Sequence, residues 1–204
     1  MCGRFTLAAP ERIAAAFPRF HFEAFSEYRL PRFNIAPAQD VLAVRNDGAA
    51  RIEMLPWGIE RRINARAETI AAHPIAFRCI IFADGFYEWR GSKPVYFTMR
   101  DDRVFAFAGI WANAGGATPC AIVTTEANEL VAKTHDRMPA ILSAASVDAW
   151  LAPEPISPAR ARELLRPFAA AAMTARDASM RLNDARRDAP DVLVDDDPVQ
   201  GELF

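Results

Sequence analysis

The chain contains few cysteines, few histidines and no long apolar segment, and each shortage excludes a class of protein. Three cysteines, at positions 2, 79 and 120, are too few and too widely spaced for a disulfide framework or a zinc site. Such cysteine usage fits the reducing cytoplasm. No stretch approaches the ~20 apolar residues of a membrane span, and the first twenty residues lack the apolar core of a signal peptide. We therefore expect a cytoplasmic protein that holds neither a metal nor a cofactor.

Acidic and basic residues nearly balance, which argues against a long non-specific DNA footprint. The formal net charge is -2, whereas many phosphate contacts need a strongly basic surface. Four carboxylates lie close to the end of the chain with no basic residue among them, at Asp195, Asp196, Asp197 and Glu202. The rest of the chain is faintly basic, which is compatible with a local basic pocket that binds a few nucleotides.

The hydrophobic pattern predicts an α+β fold with a mainly antiparallel sheet. A chain of 204 residues with 51% hydrophobic content can bury one sizeable core. Runs rich in β-branched and aromatic residues predict strands at 41–45, 51–57, 79–83, 86–90, 95–99, 104–111 and 120–125. Most of the links between these runs are too short for a crossover helix. Helical patterns occupy 10–17, 65–72, 126–132, 147–151 and 158–173.

These elements predict a twisted, barrel-like β core with flanking helices. We expect a single domain over residues 1–194 and a disordered acidic tail over residues 195–204, because the tail is too polar to pack.

Cys2 carries the most distinctive chemistry in the sequence. Removal of Met1 would leave Cys2 with both an α-amine and a thiol, whose ordinary pKa values are about 8 and about 8.5. The amine can condense with an aldehyde to give an imine, and the thiol can close on the imine carbon to give a five-membered thiazolidine. An internal cysteine cannot do this, because its nitrogen is part of an amide. A cysteine near the start of the chain with no chemical role is the alternative.

Asn64 and Arg66 lie where a loop is predicted to enter a helix. At such a position an asparagine can cap the helix or orient a ligand, and an arginine can bind phosphate bidentately. An ordinary helix start has the same pattern, so both interpretations stay open.

Glu88 and His135 are candidates for acid-base chemistry. On a strand, Glu88 shares a face with Phe86, and partial burial beside the ring would raise its pKa towards the range useful for proton transfer. A surface carboxylate paired with Arg90 is the alternative. His135 lies in a turn with adjacent charges and titrates near neutrality, although most lone histidines are structural or merely exposed.

Short sequence blocks follow one another at 1–5, 33–39, 56–58, 64–69, 83–89, 105–111, 124–128 and 135–139. Together they resemble, in order, the signature blocks of the SRAP family (SOS-response-associated peptidase domain), whose members shield abasic sites in DNA. The resemblance extends over roughly Cys2 to Pro190.

The resemblance implies that Cys2 crosslinks to the ring-opened aldehyde of an abasic site in single-stranded DNA and forms a thiazolidine. It assigns Asn64 to holding the adduct, Glu88 to shuttling protons and His135 to acid-base assistance in Schiff-base chemistry and reversal. Along the DNA path it places Arg4, Arg66, Trp89, Thr124 and Arg137. It further implies a monomer in the bacterial cytoplasm, associated with the nucleoid and acting in the response to DNA damage.

The sequence departs from the family pattern in two places. Only residues 59–63 separate the Trp-Gly pair from the Asn64 block, where relatives carry a longer loop with a further tryptophan. Arg61 and Arg62 can replace part of that loop's role electrostatically. The segment before Asp84 retains only Arg78 of the expected basic cluster, so fewer phosphate contacts are expected.

Two other functions remain open at this point. One is a thiol peptidase that uses Cys2 with His135 and with Glu88 or Asn64, since such sites also combine a thiol, an imidazole and an orienting polar group. The other is a non-covalent binder of single-stranded DNA.

The tail contains a possible partner-binding peptide. Gln200 precedes Leu203 and Phe204 at a spacing that resembles the short peptides with which bacterial polymerases and repair proteins dock into the replication sliding clamp. A chance apolar ending is the alternative.

Overall fold

The computed structural model describes residues 2–22, 31–47, 50–72 and 75–194. Its strands are β1 (Arg4–Leu7), β2 (Arg32–Ile35), β3 (Asp40–Asn46), β4 (Ala50–Pro56), β5 (Asn64–Arg66), β6 (Arg78–Ala83), β7 (Gly85–Arg90), β8 (Lys93–Met99), β9 (Phe105–Trp111), β10 (Cys120–Glu126), β11 (Arg137–Pro139), β12 (Ile141–Leu142) and β13 (Met173–Asp177). Its helices are α1 (Ile13–Ala16), α2 (Ala67–Ile70), α3 (Ala144–Trp150) and α4 (Pro158–Leu164). Short 3₁₀ helices lie at Pro10–Arg12, Pro18–Phe20, Val131–Lys133, Ala170–Ala172, Met180–Asn183 and Pro190–Leu193.

The strands form two twisted sheets, which confirms the predicted α+β class and its mainly antiparallel pairing. The first sheet has the order β13-β8-β7-β1-β2, and the second has the order β11-β10-β9-β6-β3-β4, with β12 on β9 and β5 on β10. Among the described strands, β5 and β10 form the parallel ladder. The sheets are open rather than closed into a barrel within the described part of the chain.

Aromatic side chains between the two sheets form the centre of the core. Phe5 on β1 packs edge-on against Phe107 on β9 and against Trp57, with ring centroids 5.6 Å and 5.2 Å apart. Phe86 on β7 stacks on Phe97 at 5.1 Å. The inner face of the second sheet is therefore the face that carries Phe107.

The chain passes from the second sheet to the first at Asp84 and Gly85. Asp84 Oδ1 accepts a hydrogen bond from the Thr6 hydroxyl at 2.5 Å, and Oδ2 accepts one from the Ala9 backbone N–H at 2.7 Å. A Cβ on Gly85 would lie 2.3 Å from the Tyr96 ring, so that only glycine fits this corner. The Asp-Gly pair thus fixes β1 beside β7.

Three predicted elements are wrong in part. The predicted helix over 126–132 is absent from this described stretch apart from the 3₁₀ turn Val131–Lys133, because the Asn128 side chain accepts the Leu130 and Val131 N–H groups and imposes a turn. The predicted helix over 158–173 ends at Leu164, ahead of Pro167, and its last residue begins β13. Asn64 and Arg66 lie on a strand that leads into α2, and not in a loop.

The predicted tail over 195–204 lies outside the described residues. No helix within the described ranges is both long and apolar enough to cross a membrane.

Candidate active site

The candidate site lies beside the C-terminal half of β10, where Asn64 contacts Cys2. In the ladders of β10, Asn64 is opposite Ile122, Arg66 is opposite Thr124, and Arg137 is opposite Glu126. Ladder partners share a face and side chains alternate along a strand, so Asn64, Arg66, Thr124 and Arg137 point to one side. Gly109 is opposite Ile122 and lies two residues from Phe107, so this side is the inner face of the sheet.

Cys2 approaches this face from the other sheet. The Asn64 Nδ2 donates a hydrogen bond to the Cys2 carbonyl oxygen at 2.9 Å, which ties the start of β1 to β5 across the gap. Asn64 thus holds the Cys2 backbone, and its side chain lies beside any group bonded to Cys2.

Burial controls the protonation of the Cys2 thiol. Cys2 is fully buried, and this burial raises its pKa well above the ordinary value, with the negative charge of Glu88 acting in the same direction. Its Sγ contacts the Arg4 carbonyl oxygen at 3.8 Å. The thiol is therefore protonated at neutral pH, and a nearby base is needed before the sulfur can attack.

Glu88 is the carboxylate whose charge acts on the Cys2 thiol. It lies on the same face of β7 as Phe86, as predicted, and only 2% of the residue is exposed. Burial raises the pKa of Glu88 to about 7, and the charge of Asp136 also raises it. Near neutral pH, Glu88 is present in both protonation states, which suits a group that takes and returns a proton.

His135 lies at the rim of the site, immediately before β11. Burial is the main cause that lowers its pKa, so the imidazole is neutral at pH 7. Its Nδ1 is 3.0 Å from the Arg137 backbone nitrogen and 2.9 Å from Asp136 Oδ1. The neutral ring accepts the Arg137 N–H at Nδ1 and carries its proton on Nε2, whereas a protonated Nδ1 would donate to Asp136 instead.

Three buried polar atoms on β5, β10 and β11 make no hydrogen bond with any described residue. They are Asn64 Oδ1, Thr124 Oγ1 and Arg137 Nε. Buried polar atoms are normally paired because an unmade hydrogen bond costs about 1–3 kcal/mol. An acceptor, a hydroxyl and a guanidinium donor together suit a polar, partly anionic ligand such as a sugar phosphate.

The structure groups the predicted DNA-binding residues into two sets. Arg66, Thr124 and Arg137 lie at the site. The Arg4 guanidinium instead donates to Asn34 Oδ1 and to the Leu182 carbonyl oxygen, both at 3.0 Å. The Trp89 indole donates to Asn183 Oδ1 at 2.7 Å. Arg4 is opposite Tyr87 in the β1–β7 ladder, so Arg4 and Trp89 lie on the face away from Glu88. A DNA contact by Arg4 or Trp89 stays a prediction.

Sequence reasoning gave no role to two residues that shape the site. Glu68 forms a bidentate ion pair with Arg137, with Oε1 2.7 Å from Nη1 and Oε2 3.0 Å from Nη2. Asp136 raises the pKa of Glu88 across the gap between the sheets. Both residues belong to the sequence blocks noted above. No sequence pattern, however, indicates that Glu68 pairs with Arg137, which lies 69 positions later.

Arg78 has a purely structural position. It is buried, and its guanidinium donates to the carbonyl oxygens of Ile75, Ala76, Trp150, Ala152 and Glu154. Arg78 is thus not available to bind phosphate.

Among the residues that the structure describes, no three side chains gather in a way that could hold a metal ion.

Comparisons with known proteins agree on one family. The model of the family "SOS response associated peptidase (SRAP)" matches residues 1–185. The chain is 38% identical to the abasic site processing protein YoaM of Bacillus subtilis, over 95% of this chain and 97% of that protein. It is 35% identical to the abasic site processing protein YoqW of the same organism, over 95% and 99%. A solved structure from Bacteroides thetaiotaomicron matches the fold with a TM-score of 0.79 at 23% identity, over 95% and 99% of the two chains.

Proposed function

Because this chain belongs to the SOS response associated peptidase (SRAP) family, we propose that it forms a covalent crosslink between Cys2 and abasic sites in single-stranded DNA. Its relatives in Bacillus subtilis bear the name abasic site processing protein. The observation that carries the proposal is the hydrogen bond from Asn64 to the Cys2 carbonyl, beside a buried glutamate with a pKa of about 7.

The reaction needs only the groups of Cys2 and a supply of protons. After Met1 is removed, the α-amine attacks the aldehyde carbon of the opened sugar and forms a carbinolamine. The carbinolamine loses one water and becomes an imine. The sulfur then bonds to the imine carbon while the nitrogen takes up a proton, which closes the thiazolidine. One water is released for each crosslink, and no oxidant or reductant is consumed.

The raised pKa values support an assignment of the proton transfers. The Cys2 thiol keeps its proton at neutral pH and needs a base in order to attack. Glu88 can protonate the departing hydroxyl in the first stage and, once ionised, accept the thiol proton in the second. The Nε2–H of His135 can donate to an oxygen at the rim of the site, which suits assistance in forming and reversing the imine.

The unpaired polar atoms indicate where the lesion would bind. Asn64 Oδ1 and Thr124 Oγ1 can contact the hydroxyl groups of the opened sugar, and Arg137 can contact an adjacent phosphate. Arg66 is exposed beside them and can contact the next phosphate. These contacts would place the aldehyde carbon close to Cys2.

A thiol peptidase fits the same geometry less well. Peptidases of that kind need a thiolate, usually stabilised by a protonated histidine. Here burial raises the pKa of Cys2, and burial lowers the pKa of His135. The shifts are opposite to those that would make a thiolate–imidazolium pair.

Intact-mass analysis with an abasic single-stranded oligonucleotide tests the proposal. The expected product has the mass of the protein without Met1 plus the DNA minus one water, and it forms without borohydride. Cys2→Ser should form only an imine, so that its crosslink depends on the reductant. Cys79→Ser, which alters another buried thiol, is the matched control and should crosslink as the wild type does. A wild type that needs borohydride, or an equally reactive Cys2→Ala variant, would contradict the mechanism.

The proposal extends to a docking partner. Gln200, Leu203 and Phe204 lie outside the described residues, so binding to a replication sliding clamp stays a prediction that a deletion can test.

A further inference from the structure

A tight turn leads into the strand that carries Asn64. The Ile59 N–H donates to the Arg62 carbonyl oxygen at 3.0 Å, and the Arg62 N–H donates to the Ile59 carbonyl oxygen at 2.7 Å. The two residues between them have left-handed backbones, with φ of 47° at Glu60 and 68° at Arg61. Two-residue turns of this type favour Asn-Gly or Gly-Gly. The exposed tip of the turn holds an arginine where glycine would fit more easily.

Most arginines of the described chain already have a partner. Arg45 pairs with Glu53, Arg137 with Glu68, and Arg187 with Asp191. The side chains of Arg61, Arg62 and Arg66, in contrast, are exposed and make no ion pair or hydrogen bond with a described residue. Glu60, the carboxylate next to Arg61, forms no ion pair with a described residue, whereas Glu68 acts electrostatically on Arg66. Two free cations, Arg61 and Arg62, thus lie just before Asn64, and Arg66 follows it.

The backbone of this segment places arginines on both sides of Asn64. β5 is extended, and the side chains of alternate residues on a strand share a face and lie ~6.6 Å apart. Arg62, Asn64 and Arg66 alternate with Ile63 and Ala65, and Ile63 packs against the core. The segment therefore carries arginines next to Asn64, whose side chain contacts the Cys2 backbone.

We propose that Arg61 and Arg62, continued by Arg66, form an arginine strip that binds successive backbone phosphates of the single strand on one side of the abasic residue. This inference rests on the proposed function for its partner, and it adds Arg61 and Arg62 to the DNA surface. The strip suits a single strand because it consists of a tight turn and a three-residue strand and offers no helix for a groove.

Free arginines are favourable phosphate ligands for a simple reason. No carboxylate must be displaced before a phosphate binds, so each contact gains from the release of counterions. For single strands, each contact contributes about 0.7 to the slope of log affinity against log salt concentration. At about 0.1 M salt, relative to 1 M, one such contact corresponds to about a fivefold gain in affinity.

Fluorescence anisotropy with an intact oligonucleotide tests the strip, because intact DNA has no aldehyde and cannot crosslink. Arg61→Gly removes one charge and relieves a left-handed backbone, so the variant should be at least as stable as the wild type. We expect about fivefold weaker binding near 0.1 M salt and a salt slope shallower by about 0.7. Arg61→Gly combined with Arg62→Gln should give about 25-fold weaker binding and a slope shallower by about 1.4. Arg166→Gln, at an exposed arginine beyond α4, is the matched control and should leave both values unchanged.

The outcomes separate this inference from the proposed function. Unchanged slopes in both strip variants, or an equal loss in Arg166→Gln, would overturn the strip even if the wild type crosslinks. A loss confined to duplex DNA would overturn its assignment to a single strand. Shallower slopes with a wild type that fails to crosslink would sustain the strip as a DNA surface and refute the covalent mechanism.

Discussion

Replacing Glu88 by glutamine should remove a loss of stability that the wild type undergoes as pH rises through neutrality. Glu88 has a pKa of about 7 in the folded protein, against about 4.5 for an ordinary glutamate. Between these values the folded state holds a proton that the unfolded state has released, so stability falls as pH rises through this range. At 1.36 kcal/mol per pKa unit, wild type loses about 3 kcal/mol of unfolding free energy from this source. Glutamine has no proton to lose and escapes that penalty.

Urea denaturation at several pH values measures the effect, with the fluorescence of the four tryptophans as signal. The difference in unfolding free energy, Glu88→Gln minus wild type, should rise by about 3 kcal/mol between about pH 4.5 and about pH 8. Any fixed cost of the substitution cancels in this change. Glu163→Gln is the control. Arg160 lowers the pKa of Glu163, so the difference in unfolding free energy between this variant and the wild type should not rise with pH. A difference that stays constant with pH would refute the raised pKa.

The same variant should lose crosslinking activity. Loss of a general acid-base group typically slows a reaction by 10²-fold or more, while affinity for intact DNA should change little. A variant that is more stable and less active would show that the buried carboxyl is kept for chemistry at a cost in stability.

Three further predictions concern other parts of the molecule. Glu68→Gln should raise affinity for intact single-stranded DNA severalfold in anisotropy assays, because it frees Arg137 for phosphate; weaker binding would instead assign Glu68 to orienting Arg137. Arg78→Met should lower the unfolding free energy by about 3 kcal/mol or more, because it leaves buried carbonyls without donors. Urea denaturation tests this, with exposed Arg160→Met as control, and an equal effect in both variants would contradict it. Deletion of 200–204 should abolish binding to purified sliding clamp in calorimetry and leave crosslinking intact; no heat with wild type would remove the clamp hypothesis.

The central strands could be predicted from sequence because their burial pattern is regular. β6 and β9 are long runs of apolar residues, and β7 and β8 are joined by Gly91 in a left-handed turn. β5 and β12 could not be predicted, since each has only two or three residues and gains its hydrogen bonds from a neighbour distant in sequence. The alanines before β13 favour a helix by propensity, but pairing with β8 prevails.

The sequence predicts which residues form the site but not how they are arranged in space. The chemistry of Cys2 follows from the residue itself, and the position of Glu88 follows from the period of a strand. The hydrogen bond from Asn64 to the Cys2 carbonyl joins residues 62 positions apart. The raised pKa of Cys2 follows from complete burial, which depends on how the two sheets meet and not on neighbours in the sequence.

The position of β1 within its sheet also bears on how the protein is made. β1 lies between β2 and β7, and Phe5 pairs with Phe86, about 80 residues later. At ~5–20 residues per second, a ribosome needs roughly 4 to 16 s to synthesise that interval. Until β7 emerges, β1 can pair only with β2, its other edge is uncovered, and an aminopeptidase can reach Met1. Afterwards Cys2 is enclosed, so the amine on which the chemistry depends is best released during synthesis and not after folding.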